Sequence, residues 1–68
     1  MEPYQERVII EQKELAEKII KLTAFITDHE KSCKLKESDW AYLCRQLEVM
    51  TEYNRILIMR ITRFNKED

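Results

Sequence analysis

The sequence contains no glycine and a single proline, Pro3. Tight hairpin turns draw on both residues, so a β-meander or a small β-barrel has almost nothing to turn on. It lacks an excess of either charge: 12 basic side chains face 13 acidic ones, a net charge of -1. Non-specific nucleic-acid binders rely on surplus lysine and arginine against phosphate, and there is no surplus here, so duplex DNA or RNA is not an expected partner. Opposite charges alternate along the chain, which also argues against a DNA mimic. No apolar run approaches the roughly 18 residues of a membrane span. Residues 1–15 are charged throughout and have no apolar centre, so no signal peptide is read there and a cytoplasmic protein is expected.

Only two cysteines and one histidine are present. In a reducing compartment Cys33 and Cys44 are expected as free thiols, Cys44 as a packed side chain within a helix. His29 and Cys33 are four residues apart, but zinc needs three or four ligands and no C-x-x-C pair accompanies them. Nucleophilic catalysis fails on the same shortage: the lone histidine has no orienting partner in view. We therefore expect no metal, no cofactor and no enzyme.

What is present is apolar and charged residues with little between. Hydrophobic side chains make up 44% of the 68 residues and charged ones 37%, the profile of a long-helix protein of one domain. Glu2-Pro3 suits a helix start, since a proline at the first helical position loses an N–H that would be unpaired anyway. Val8, Leu15, Ile19, Leu22 and Ile26 then form a heptad-like seam, interrupted once by Gln12. Ile9, Ala16, Ile20 and Thr23 widen the apolar face. The spacing predicts a helix over about residues 3–29. Residues 30–37 are polar and aperiodic and read as a connector. The next helix starts from Ser38, the better capping chemistry, or from Lys36, which would make Leu35 a hydrophobic staple.

Over about residues 38–65 the signal is stronger. Trp40, Leu43, Leu47, Met50, Asn54, Leu57, Ile61 and Phe64 follow unbroken 3-4 spacing. A second strip holds Tyr42, Val49, Tyr53 and Ile56, with Ile58 and Met59 beside it. A helix apolar on two faces needs two partners, and the chain has only one other long helix to offer. The expected architecture is therefore all-α: an antiparallel two-helix hairpin assembling into a homo-oligomeric helical bundle, with Val49, Met50, Tyr53, Ile56 and Leu57 at the oligomer interface.

Several polar residues have two readings. Asn54 in the seam is either a register-fixing buried amide or a contact to a ligand. Tyr4 and Arg7, at the positive end of the first helix dipole, either pack against the end of the second helix or stack on a base and hold a phosphate. Lys18 and Lys21 stand four residues after Glu14 and Glu17, the favourable order for helix ion pairs. Arg45 and Arg55 read the same way. Arg60 and Arg63 suit the negative end of the second helix dipole, and antiparallel packing would bring them to Tyr4 and Arg7 as a basic, aromatic corner.

The segments Tyr4-Gln5-Glu6-Arg7-Val8-Ile9, Glu14-Leu15-Ala16-Glu17-Lys18-Ile19-Ile20-Lys21-Leu22 and Gln46-Leu47-Glu48-Val49-Met50-Thr51-Glu52-Tyr53-Asn54-Arg55-Ile56-Leu57 carry a resemblance. With the closing Leu57-Ile58-Met59-Arg60-Ile61, they resemble a family of small proteins encoded by bacteriophages and prophages, first labelled from crAss-like phages. That family in turn looks like the helical-hairpin sponges of phages, the anti-CBASS type-2 proteins and their anti-Thoeris relatives. The likeness to the phage and prophage family covers most of the chain; with the sponges the shared features are a two-helix hairpin and the stretch from Met50 to Asn54, and their alanine-rich second helix is replaced by Arg55, Ile56 and Leu57.

The resemblance implies an oligomer, typically a hexamer, that sequesters cyclic di- or trinucleotide immune signals in the bacterial host cytoplasm without cleaving them. Tyr4 would stack on a base, Arg7 with Lys18 or Lys21 would hold phosphates, and Asn54 and Arg60 would line a pocket between subunits. The contrasting expectation is a protein-interaction module that inhibits or scaffolds a host or phage protein through its second apolar face. A small DNA-binding regulator is disfavoured by the charge balance.

Overall fold

The computed structural model describes residues 2–64, and every regular element among them is helical. Helix α1 spans Pro3–Thr27, α2 is a single turn over His29–Ser32, and α3 spans Glu37–Phe64. The chain forms a rod of 51 × 15 × 15 Å in which α1 packs along α3. No helix among the described residues is long and apolar enough to cross a membrane.

Pro3 takes the first helical position of α1 behind Glu2, and the Gln5 side chain accepts a hydrogen bond from the Glu2 N–H at 3.0 Å. One otherwise orphaned donor at the helix start is thereby satisfied. The far end differs from the spacing-based expectation. α1 stops at Thr27, because Asp28 is extended and its carboxylate accepts from the backbone N–H groups of Glu30 at 3.1 Å and Lys31 at 3.4 Å. An aspartate in that role starts a new helix as it ends the old one. The segment read as a plain connector thus holds the turn α2.

Of the two candidate caps for α3, the structure uses Lys36: its carbonyl accepts from the Trp40 N–H at 3.0 Å, and Glu37 is the first helical residue. Leu35 and Trp40 then line one hollow, the arrangement a hydrophobic staple requires. Glu37 and Asp39 in the first turn and Arg63 in the last suit the dipole of α3.

The core is small. Val8, Leu15 and Leu57 are buried, with Ile19, Met50, Ile61 and Phe64 packed against them. Leu57 has no exposed surface at all. By contrast, Ile10, Ile20, Tyr42, Val49, Tyr53, Ile56, Ile58 and Met59 all remain exposed.

Candidate functional site

Two contacts set the register of the hairpin. Gln12 Nε2 donates to Asn54 Oδ1 at 3.1 Å, and the Tyr4 and Phe64 rings meet edge to face, 5.8 Å between centroids and 85° between planes. Residue 12 is thus level with 54 and residue 4 with 64, which puts Arg7 level with Arg60. The open end of the rod therefore gathers Tyr4, Arg7 and Arg60, and Arg63 lies one turn beyond. Lys18 and Lys21 are not part of this gathering. They stand 11 and 14 residues beyond Arg7, about 17 and 21 Å away along a helix rising 1.5 Å per residue. They reach the same ligand only if it is long or if another copy supplies one of the groups.

Helix geometry also fixes the side of the hairpin on which these groups stand. Tyr4, Arg7, Lys18 and Lys21 recur at three- and four-residue steps with Glu11 and Glu14 between, so they form one strip on α1. On α3 the strip Tyr42, Val49, Tyr53 and Ile56 continues through Gln46 and Arg60 at the same steps. Two right-handed helices packed antiparallel through their seams place these two strips on the same side of the hairpin. The Tyr4–Phe64 contact lies towards that side and the Gln12–Asn54 contact towards the other. A shallow trough of about 490 Å³ follows the α3 strip past Arg45, Val49, Glu52, Tyr53 and Ile56.

The candidate residues find mixed employment. Tyr4 meets the Phe64 ring edge to face and still keeps half its surface exposed. Asn54 spends its carbonyl oxygen on Gln12, and its NH2 is the group it has left to offer. Arg7, Arg60, Lys18 and Lys21 are exposed. Among the described residues the ion pairs are Lys31–Asp28 and Arg45–Glu48, both at 3.9 Å, and Arg55–Glu52 at 3.1 Å. The favourable helix spacing therefore yields no ion pair at Lys18 or Lys21, whereas Arg45 and Arg55 do pair, with glutamates three residues away rather than four.

The proposed interface residues divide too. Val49, Tyr53 and Ile56 are exposed and Met50 is half-buried against the core. Leu57 corrects the sequence reading: it is wholly enclosed within the hairpin and has no surface to give a second copy.

The sequence reading noted Gln12 only as an interruption of the seam. Its partner was legible, because Asn54 was the only polar break in the facing seam and two such breaks are cheapest when they meet. Each amide alone is half-buried, so Gln12→Ala or Asn54→Ala should cost about 1 kcal/mol, the usual net worth of such a bond. The double variant should lose clearly less than the sum of the two. Strict additivity in urea unfolding would mean that the bond contributes nothing. Also unanticipated is a hollow of about 390 Å³ at the connector end, lined by Ile26, His29, Cys33, Leu35 and Trp40 among others.

These features define a small all-helical protein with an exposed apolar strip and a basic, aromatic end. The chain belongs to the Sequestin family, whose pattern it matches over residues 2–63. The family name suggests sequestration of a ligand. No curated protein and no solved structure matches the chain.

Proposed function

We propose that this protein is a phage anti-defence sponge: a homo-oligomer that binds a cyclic oligonucleotide in the host cytoplasm and holds it without cleaving it. The observation that carries the reading is the register that sets Arg7 level with Arg60 beside the half-exposed ring of Tyr4. Two guanidiniums next to a half-exposed aromatic ring match a ligand that joins phosphates to bases, since arginine holds phosphate oxygens in a planar fork and tyrosine stacks on a base. Membership of a family named for sequestering supports the same reading.

Light scattering and thermal melting with a panel of cyclic di- and trinucleotides test this reading. Ligand at 100 times its dissociation constant should stabilise the fold by about 2.7 kcal/mol, which raises the melting temperature of so small a domain by about 10 °C or more. Arg7→Ala and Arg60→Ala should each remove that shift while leaving the mass of the assembly unchanged. A defined oligomer whose melting no nucleotide moves would sink the reading. It would favour the second one, a protein-interaction module, for which the exposed strip of Tyr42, Val49, Tyr53 and Ile56 is the supporting observation.

A further inference from the structure

The surface of the chain is too large for its mass. A compact monomer of 8.3 kDa exposes about 4,600 Å² by the usual scaling, whereas this chain exposes 5720 Å². The excess of about 1,100 Å² reflects a rod of 51 × 15 × 15 Å whose core holds few buried side chains, and a stable interface covers roughly 800 Å² on each partner. The α3 strip offers that surface in a self-complementary form. Its positions 42, 46, 49, 53, 56 and 60 are spaced 4-3-4-3-4, which reads the same in both directions about residue 51. Turned end for end on a copy of itself, the strip sets every position against another strip position: Tyr42 against Arg60, Gln46 against Ile56, Val49 against Tyr53. The charges beside the strip are mixed in this pairing. Residues 45, 48, 52 and 55 fall level with 57, 54, 50 and 47 of the copy, which brings Glu48 beside Arg55 of the copy and Glu52, one residue from the axis, beside its own counterpart at the exposed rim. Arg45–Glu48 and Arg55–Glu52 are already paired within the helix. A parallel pairing would instead stack each charge on its own copy.

We infer that a second copy of this chain docks antiparallel on the α3 strip about a two-fold axis near residue 51, and that Tyr42 of the second copy stands at Arg60 and completes the basic corner. The docking stands on the surface and the spacing alone, while the role of Tyr42 in binding rests on the sponge reading. Among the described residues Tyr42 is the most exposed large apolar side chain, at 75%. Within one protomer it is 18 residues from Arg60, about 27 Å along α3, and contributes nothing to the corner. Across the two-fold it adds a second aromatic ring beside Arg7 and Arg60, on the same side as the half-exposed ring of Tyr4. A planar base would then sit between two rings with its phosphates on two guanidiniums. Each pair of chains would carry two such sites.

The test uses disulfide trapping in the full chain, with Cys33→Ser and Cys44→Ala removing the native thiols, or Cys44→Val where alanine lowers the melting temperature. Tyr42→Cys and Arg60→Cys both alter exposed positions and are prepared as separate proteins. A cross-linked dimer should form when the two are mixed and oxidised, and neither should cross-link alone. Cross-linking of each protein with itself would overturn the antiparallel orientation, and no cross-link in either case would overturn the docking face. In the untrapped protein, Tyr42→Ala should weaken binding of the stabilising cyclic nucleotide at least tenfold at unchanged mass, while Tyr42→Phe should retain it. Unchanged affinity in Tyr42→Ala would overturn the composite site. A mixed cross-link in a protein that binds no nucleotide would uphold the docking and reject only the ligand.

Discussion

Replacing Leu57 by alanine is expected to remove about 2–5 kcal/mol of stability, the cost of emptying a fully enclosed leucine site. Among the described residues Leu57 is the one large side chain with no exposed surface, and only Val8 and Leu15 share the buried apolar core with it. A chain this short holds a few kcal/mol to about 10 kcal/mol in total, so the loss approaches the whole margin. The hairpin has few means of collapsing into the gap, because both neighbours in the core lie on the opposing helix and each covers its own turn of it. Met59, two residues on and 58% exposed, provides the comparison: Met59→Ala should change stability by less than about 0.5 kcal/mol. Urea unfolding at one fixed protein concentration measures both, since assembly would otherwise shift the midpoints by mass action. A loss below about 1 kcal/mol for Leu57→Ala would mean that the seam is not packed through this residue.

How much of this arrangement the sequence disclosed depends on how many turns carried each signal. Both long helices were legible because apolar residues at three- and four-residue steps persist over most of their length. Their shared seam was legible for the same reason. The break at Asp28 was not: one side chain makes it, and His29-Glu30-Lys31 is as helical in character as the turn before. The start of α3 stayed open between Ser38 and Lys36, because capping chemistry favoured one and the staple the other, and the staple geometry prevailed. Trp40 fits the seam by spacing but is 42% exposed. The register explains this, since position 40 is level with about position 27, where α1 ends and only the short turn α2 follows.

The candidate site was legible in part. Antiparallel pairing sufficed to place Arg60 near Tyr4 and Arg7, but spacing along one helix cannot show that Lys18 and Lys21 stand too far along to join them. Nor can it separate a residue that closes the hairpin from one that faces a second copy. Leu57 and Ile56 are neighbours in sequence and equally apolar, yet the first is enclosed and the second is about half exposed. That distinction is a property of the packed pair of helices.

Val49→Asp is expected to take the proposed assembly apart. Val49 is 53% exposed in the hairpin, so aspartate there leaves the core of Val8, Leu15 and Leu57 untouched and the separated chain should keep its helices. At a two-fold contact the substitution acts twice, because each copy drives one carboxylate against the apolar strip of the other. An uncompensated charge in an interface costs several kcal/mol, and two of them weaken association by more than about a thousandfold. Light scattering should therefore report a single chain at concentrations where the parent protein is an oligomer, with the helical circular dichroism largely retained at low temperature. The melting temperature should also fall and stop depending on concentration, because the stabilisation supplied by association is gone. Ile20→Asp, which places the same charge on an exposed position of α1, separates this outcome from a general effect of added charge. Dissociation by Val49→Asp alone would locate the contact on α3. Dissociation by Ile20→Asp alone would move it to α1 and leave the strip of Tyr42, Val49, Tyr53 and Ile56 free for a different protein.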